Sequence, residues 1–194
     1  MKKLSLLFTA FILAMLISSC SSVINTTRDK PITDNLGKRT WGAQIDDSLI
    51  ETKVAVNIAK ANPKLNNDSR IVVVSYNGVV LLAGQVPNAN LKPIAVKAAS
   101  NGGIRGIKQV HDDLQVGPNA GLLASSNDSW ITSKIKSAML VNSEVPSSRI
   151  KVVTENGIVY LLGLVTRKEG QLAAKVARES SGVQRVVMLF EYIN

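Results

Sequence analysis

The chain of 194 residues is poor in the residue types that most catalytic and metal sites need. It has one cysteine, one histidine and 4% aromatic residues. Its sequence contains no metal-ligand spacing, phosphate-binding loop or nucleophile elbow. The neighbours of His111 are sequential acids, Asp112 and Asp113, and this pattern favours an exposed histidine at a strand edge over a catalytic one. The sequence therefore predicts a protein that is not an enzyme and uses no cofactor or metal.

The chain also lacks any block of five or more basic residues, although its formal net charge is +9. Without such a block, charge alone does not indicate nucleic acid as a partner. A mild, distributed positive charge suits anionic lipid headgroups, to which each nearby Lys or Arg contributes about 1 kcal/mol. An ordinary solvated basic surface explains the charge equally well. The scarcity of aromatics predicts a core of Val, Ile, Leu and Ala.

No apolar run is long enough to span a bilayer, because residues 4–17 fall short of the roughly 20 that a transmembrane helix needs. Lys2 and Lys3 precede this run and small residues follow it, which is the three-part build of a secretory signal. A plain secretory signal would leave Cys20 as an unpaired thiol in an oxidising compartment. The segment resembles the bacterial lipobox, in which the cysteine thiol receives a diacylglyceryl group and the preceding peptide is removed.

That resemblance implies a signal peptide over residues 1–19 and a lipid anchor on Cys20. The residue after the cysteine is Ser21 and not Asp. In lipoproteins that this segment resembles, the absence of Asp at this position implies transfer to the outer membrane of a Gram-negative bacterium, with the chain facing the periplasm. Residues 20–45 show little periodicity and predict a flexible tether of about 25–30 Å. Such a tether keeps the rest of the chain close to the leaflet that holds the anchor.

The mature chain contains an internal repeat. Residues 70–86 and 149–165 are identical at ten of 17 positions. A period near 80 residues is too long for a solenoid and indicates a duplicated small domain. We therefore expect domains over residues 46–116 and 126–194, joined by a linker over residues 117–125 whose proline and glycines let the two units reorient.

Each unit carries the same local signals. Asp47 and Asp128 are helix-capping types that precede apolar residues at helical spacing. Asn-Gly pairs at Asn77 and Asn156 lie between β-branched runs and predict tight β-hairpins. Second helices are expected over residues 88–100 and 168–179, with final strands over 110–116 and 185–193. The order in each unit is α-β-β-α-β.

This pattern resembles the BON domain. The resemblance rests on Gly-x-Val-x-Leu-x-Gly-x-Val, present as Gly78, Val80, Leu82, Gly84 and Val86 in the first unit and as Gly157, Val159, Leu161, Gly163 and Val165 in the second. It implies an α+β chain of two tandem BON domains after a lipoprotein signal peptide. Each domain then has two helices on one three-stranded mixed sheet.

Trp130 is the most prominent candidate for a binding contact. A helical wheel turns Ile131 and Ile135 toward the core and places Trp130 about 120° away, on the side of Lys134. An exposed indole beside an ammonium group suits a membrane interface. Packing of Trp130 on the first unit or on the linker is the alternative, and the wheel leaves both open. Trp41, in the tether, is a weaker candidate of the same kind.

The resemblance to lipid-anchored proteins with two BON domains implies that the first helix of the second domain contacts anionic phospholipid. The partners would be phosphatidylglycerol and cardiolipin in the inner leaflet of the outer membrane. Support of outer-membrane integrity and enrichment at division sites are implied as well. The alternative is an adaptor that docks an envelope protein, such as a membrane-assembly or division factor. Carried over by position, the phospholipid site consists of Trp130, Ile131, Ser133, Lys134 and Ile135, of which the wheel buries the two isoleucines.

Overall fold

The computed structural model describes residues 37–100, 103–119 and 122–194. The predicted signal peptide over residues 1–19, the anchor Cys20 and the tether as far as residue 36 lie outside the described residues. Within the described ranges, no helix combines the length and the apolar character that crossing a membrane would take.

The first repeat follows the predicted order, with one short helix added. Its elements are α1 (Trp41–Ala61), α2 (Pro63–Asn67), β1 (Arg70–Tyr76), β2 (Val79–Val86), α3 (Leu91–Ser100) and β3 (Gln109–Val116). Strand β2 lies in the middle of the sheet, antiparallel to β1 and parallel to β3. Both helices expected from the sequence pack on one face of this mixed sheet.

The second repeat has the same topology, with a 3-10 turn in place of α2. Its elements are α4 (Leu122–Val141), the turn Ser147–Arg149, β4 (Ile150–Glu155), β5 (Ile158–Val165), α5 (Arg167–Arg178) and β6 (Arg185–Tyr192). Strand β5 is central, antiparallel to β4 and parallel to β6. The predicted fold, two α+β units that each have helices on a three-stranded mixed sheet, is confirmed.

Each Asn-Gly pair forms the predicted hairpin turn. Asn77 and Gly78 have φ values of 52° and 80°, and Asn156 and Gly157 have φ values of 52° and 72°. Two successive residues with positive φ are the signature of the type I′ turn, whose twist matches that of the flanking strands. Asn and Gly are the residues that adopt this conformation at least cost, so the local sequence fixes where both hairpins reverse.

The two aspartates predicted as helix caps have a different role. Helix α1 begins at Trp41, capped by Thr40, whose hydroxyl accepts a hydrogen bond from the Ala43 amide at 3.1 Å. Helix α4 begins at Leu122, inside the stretch predicted as a linker. Asp47 and Asp128 therefore lie within helices, on the buried side, where their carboxylates bind the hairpin amides. The capping prediction is wrong because the same acceptor chemistry is used across the domain and not at a helix end.

The second helix of the first repeat was predicted over residues 88–100 and forms from Leu91. Pro93 lies in its opening turn, where the missing amide proton of proline leaves no helical hydrogen bond unmade. The proline therefore stays within the helix without bending it.

The central strand of each repeat is buried on both faces. Val80, Leu82 and Val86 of β2 face the helices of the first repeat, while Leu81 and Ala83 point the other way. The second face of each sheet packs on the second face of the other, giving four layers in the order helices, sheet, sheet, helices. The residues buried at this junction are Val74, Tyr76, Val79, Leu81, Ala83, Tyr160, Leu162, Leu164 and Leu189.

Polar contacts across the junction fix the two repeats in one orientation. The buried Glu155 accepts hydrogen bonds from Arg70 at 3.0 Å and from Gln85 at 3.2 Å. Asp113 accepts from the Tyr160 hydroxyl at 2.7 Å and from Arg185 at 2.6 Å. The expectation that the linker lets the units reorient is wrong, because an apolar sheet face and paired charges would both be exposed by separation.

Candidate membrane-binding surface

Helix α4 buries one stripe and leaves the opposite side open to solvent. Ile131 and Ile135 are both 0% exposed and pack in the core of the second repeat with Met139. The sheet covers this side of the helix, so neither isoleucine can contact a lipid headgroup. The two isoleucines are therefore removed from the predicted phospholipid site. The helical wheel buries them, and the resemblance by position includes them.

Trp130 lies on the open side of α4 and is 64% exposed. It does not pack as a buried side chain on the first repeat, which was the alternative left open by the sequence. The Lys134 ammonium lies 5.9 Å from the centre of the indole ring and donates a hydrogen bond to the Ser181 carbonyl at 2.6 Å. The distance is at the outer limit of a cation–π contact. The Ser181 bond holds the positive charge beside the ring.

Ser133, the remaining predicted contact on α4, is exposed one turn away. Its hydroxyl donates to the Ser129 carbonyl at 2.9 Å, four residues back along the helix. This bond leaves the lone pairs of the hydroxyl oxygen facing solvent. Ser133 thus forms a polar margin beside Trp130.

Sequence reasoning missed part of the apolar surface on this helix. Leu123 and Val141 are 88% and 85% exposed, and Leu140 is exposed as well. At 3.6 residues per turn, Leu123, Trp130 and Val141 fall within about 20° of one another along about 27 Å of helix. Leu123 escaped notice because the helix was expected to begin later. The absence of glycine and proline between residues 122 and 141 was the signal that could have extended it.

The charges of α4 are arranged so that positive charge faces solvent. Asp128, the acidic residue in this helix, is buried and accepts hydrogen bonds from the Asn156 and Gly157 amides at 2.8 and 2.9 Å. Lys136 is exposed. We call the open side of the helix the α4 surface, and it consists of Leu123, Trp130, Ser133, Lys134, Leu140 and Val141.

The single histidine offers no alternative site. His111 is half-buried on β3, which is an edge strand as predicted, and burial lowers its pKa below the ordinary value. The expectation that it would be exposed is corrected, since the side chain is half-buried. Among the residues that the structure describes, no three His, Cys, Asp or Glu side chains are grouped to hold a metal ion.

Comparison with known proteins places these features in a family. The family model of the BON domain matches residues 46–118 and 127–194. The chain belongs to the BON-domain family. It is 38% identical over 197 residues to the outer membrane lipoprotein DolP of Haemophilus influenzae, covering 100% of this chain and 97% of that protein.

Two further relatives share most of their length with this BON-domain chain. The 21 kDa hemolysin of Actinobacillus pleuropneumoniae is 40% identical over 155 residues, covering 80% of this chain and 78% of the relative. The osmotically-inducible protein Y of Escherichia coli is 32% identical over 148 residues, covering 75% and 72%. The chain is an envelope lipoprotein of the outer membrane with two BON domains, and no catalytic family is indicated.

Proposed function

We propose that the α4 surface binds anionic phospholipid in the inner leaflet of the outer membrane and that this binding supports outer-membrane integrity, including at division sites. The observation that carries the proposal is the exposed indole of Trp130 with the Lys134 ammonium held beside it. An indole settles at the headgroup level of a bilayer, and an ammonium group next to it meets the phosphate. Phosphatidylglycerol and cardiolipin are the lipids with matching charge.

The contact is expected to be weak by itself and sufficient when anchored. Each exposed apolar side chain that leaves water contributes about 1.5–3 kcal/mol at full burial. Each Lys near an anionic leaflet adds about 1 kcal/mol. An acyl anchor on Cys20 makes the second contact intramolecular, which raises the effective concentration of lipid at the α4 surface. A modest intrinsic affinity would then select where in the membrane the chain resides.

The proposal is tested with the chain from residue 20 onward, made without acylation by Cys20→Ala. Flotation with vesicles of phosphatidylcholine is compared with flotation when phosphatidylglycerol or cardiolipin is added. We expect binding only to the anionic vesicles, falling as salt is raised. Trp130→Glu should lower the bound fraction. Val116→Glu, at another exposed apolar residue outside α4, is the matched control and should leave binding unchanged.

Equal binding by the Trp130→Glu and Val116→Glu proteins would refute the assignment of the lipid site to the α4 surface. Equal binding to neutral and anionic vesicles would refute the preference for anionic headgroups. An adaptor function predicts a third pattern, in which vesicles are ignored and a photo-crosslinker at position 130 captures an envelope protein in intact cells.

A further inference from the structure

Helix α1 has an apolar stripe on the side away from its core. Trp41 is 83% exposed, and Ile45, Leu49 and Val56 are exposed with it. At 3.6 residues per turn these four fall within an arc of about 80° along about 22 Å of helix. They lie opposite the buried stripe of Ile50, Val54 and Ile58, which is where a surface helix ordinarily carries polar residues. We call these four residues the α1 surface.

The charges near this stripe are compatible with an anionic partner. The Asp47 carboxylate is buried, and Glu51 accepts a hydrogen bond from Lys151 at 2.8 Å. Lys53 and Lys60 are exposed on one flank of the stripe. Asp46, also exposed, lies beyond that flank, about 140° around the helix from Trp41. No acidic residue lies within the stripe itself.

Helix α1 is also the first described element of the chain after Cys20, the predicted lipid anchor. Arg39 is fixed to the folded unit, since it donates to Asp47 at 2.5 Å and its guanidinium lies 3.7 Å from the centre of the Tyr76 ring. Only the residues between Cys20 and Arg39 separate the anchor from this fixed point. A segment of that length reaches at most about 65 Å. The start of α1 is therefore held within reach of the leaflet that holds Cys20.

The layer order places α1 and α4 on opposite outer faces of the unit. Helix α1 packs on the outer face of the first sheet and α4 on the outer face of the second, while the inner faces pack together. Each stripe points away from the sheet below it. A flat leaflet can therefore contact one of the two surfaces at a time.

We propose that the α1 surface is a second membrane-binding surface, so that the anchored protein lies on the leaflet in either of two opposed orientations. The occupant is the interface of a lipid bilayer, into which Trp41 and the three aliphatic side chains insert beside the flanking lysines. This surface adds to the proposed function and does not depend on the α4 surface.

The chain has two tryptophans, one on each surface, and this makes a clean test. In the unacylated chain, Trp130→Glu disables the α4 surface and leaves Trp41 as the only tryptophan, which is excited selectively at the red edge of its absorption. Trp41→Glu does the reverse and leaves Trp130. Each protein is titrated with phosphatidylcholine–phosphatidylglycerol vesicles that carry brominated acyl chains, which quench an inserted indole. Circular dichroism confirms that each variant folds.

We expect Trp41 in the Trp130→Glu protein to shift to the blue and to be quenched. Adding Ile45→Ser and Leu49→Ser should weaken this binding about ten-fold, because two half-buried aliphatic contacts are lost. Adding Val116→Ser, the matched control, should leave it unchanged. Trp130 in the Trp41→Glu protein is expected to be quenched as well.

The outcomes separate the two surfaces. If Trp130 is quenched and Trp41 is not, the α1 surface is overturned and the proposed function stands. If only Trp41 is quenched, the α1 surface stands and the α4 site fails. If neither is quenched, both fail. The milder variants Trp130→Phe and Trp41→Phe keep both surfaces apolar and test whether the two orientations exclude each other. If they do, the remaining tryptophan of each protein is only partly quenched. Complete quenching in both proteins would overturn mutually exclusive binding.

Discussion

Replacing Asp47 by alanine is expected to destabilise the protein more than replacing Asp128, although the two aspartates occupy the same position of the repeat. Both carboxylates bind the two amides of a hairpin turn. Asp47 accepts two further hydrogen bonds, from the Ser75 hydroxyl at 2.7 Å and from Arg39 at 2.5 Å. The counterpart of Ser75 is Thr154, which accepts a hydrogen bond from Thr132 at 2.8 Å.

The difference can be estimated from the donors that each substitution leaves without a partner. A buried donor without an acceptor costs about 1–3 kcal/mol. Asp128→Ala strands one buried turn amide and one part-buried amide that water can reach, so a loss of about 2–4 kcal/mol in the free energy of unfolding is expected. Asp47→Ala also strands the buried Ser75 hydroxyl and leaves the Arg39 side chain, which is 17% exposed, without its carboxylate partner. We expect about 3–7 kcal/mol, a large share of the 5–15 kcal/mol that typically stabilises a domain.

The contribution of Asp47 has a defined pH dependence. Burial tends to raise the pKa of Asp47, but hydrogen bonds from Ser75, Gly78, Asn77 and Arg39 outweigh it and lower the pKa below the ordinary 3.8. A carboxyl whose pKa is lower in the folded state stabilises the protein above its unfolded pKa, and this stabilisation is lost as pH falls through the folded value. The gap between wild type and Asp47→Ala should be equal at pH 7 and pH 5 and should shrink below about pH 4.

Urea unfolding followed by far-ultraviolet circular dichroism measures these differences. Asp46→Ala, at the exposed neighbouring carboxylate, is the control and should change stability by less than about 0.5 kcal/mol. A cost for Asp47→Ala no larger than that of the control would refute the role assigned to the buried carboxylate. A larger cost for Asp128→Ala than for Asp47→Ala would refute the additional role of Ser75.

Two other substitutions test the turn and the junction by the same unfolding measurement. Gly78→Ala should lower the free energy of unfolding by more than about 2 kcal/mol, since φ is 80° and a Cβ would lie 2.2 Å from the Gly106 carbonyl oxygen. The control Gly103→Ala, where φ is 62° and the space around the Cβ is open, should lower it by about 1 kcal/mol. Arg70→Leu should lower the free energy of unfolding by about 3 kcal/mol, because it leaves the buried Glu155 without its charged partner. Adding Glu155→Leu should recover most of this loss, and additive losses in the double variant would contradict the pairing.

Local chemistry made much of each repeat predictable. The Asn-Gly pairs located both hairpins because few other residues tolerate two successive positive φ values. The spacing of Ile131 and Ile135 correctly gave the buried side of α4, since the helical period is a property of the backbone. Helix starts were less accessible, because Asp47 has the chemistry of a cap and uses it on a turn about 30 residues away in sequence.

Contacts between the repeats could not be derived from periodicity, which states the direction of a side chain and not what lies in that direction. The exposure of Trp130 was open for this reason. The central strands did carry a signal, since β2 and β5 are almost continuously apolar. A half-solvated strand alternates between polar and apolar residues, whereas a continuous run indicates cover on both faces. Read in that way, the repeats would have been expected to pack sheet to sheet.

Comparison of the two first helices separates what the fold requires from what remains to be explained. The buried stripe is apolar in both, with Ile50, Val54 and Ile58 answered by Ile131, Ile135 and Met139. The open sides correspond only in part, since Leu49 and Trp130 occupy the same position of the repeat. At the matching spacing, Ile45 and Val56 are replaced by Ser126 and Ser137, and Leu123 is replaced by Gly42. Core packing explains the first set in both helices, because each sheet must be covered. It does not explain two exposed apolar stripes that differ at most of their positions, so each surface needs a partner of its own, and a bilayer met in two orientations supplies both.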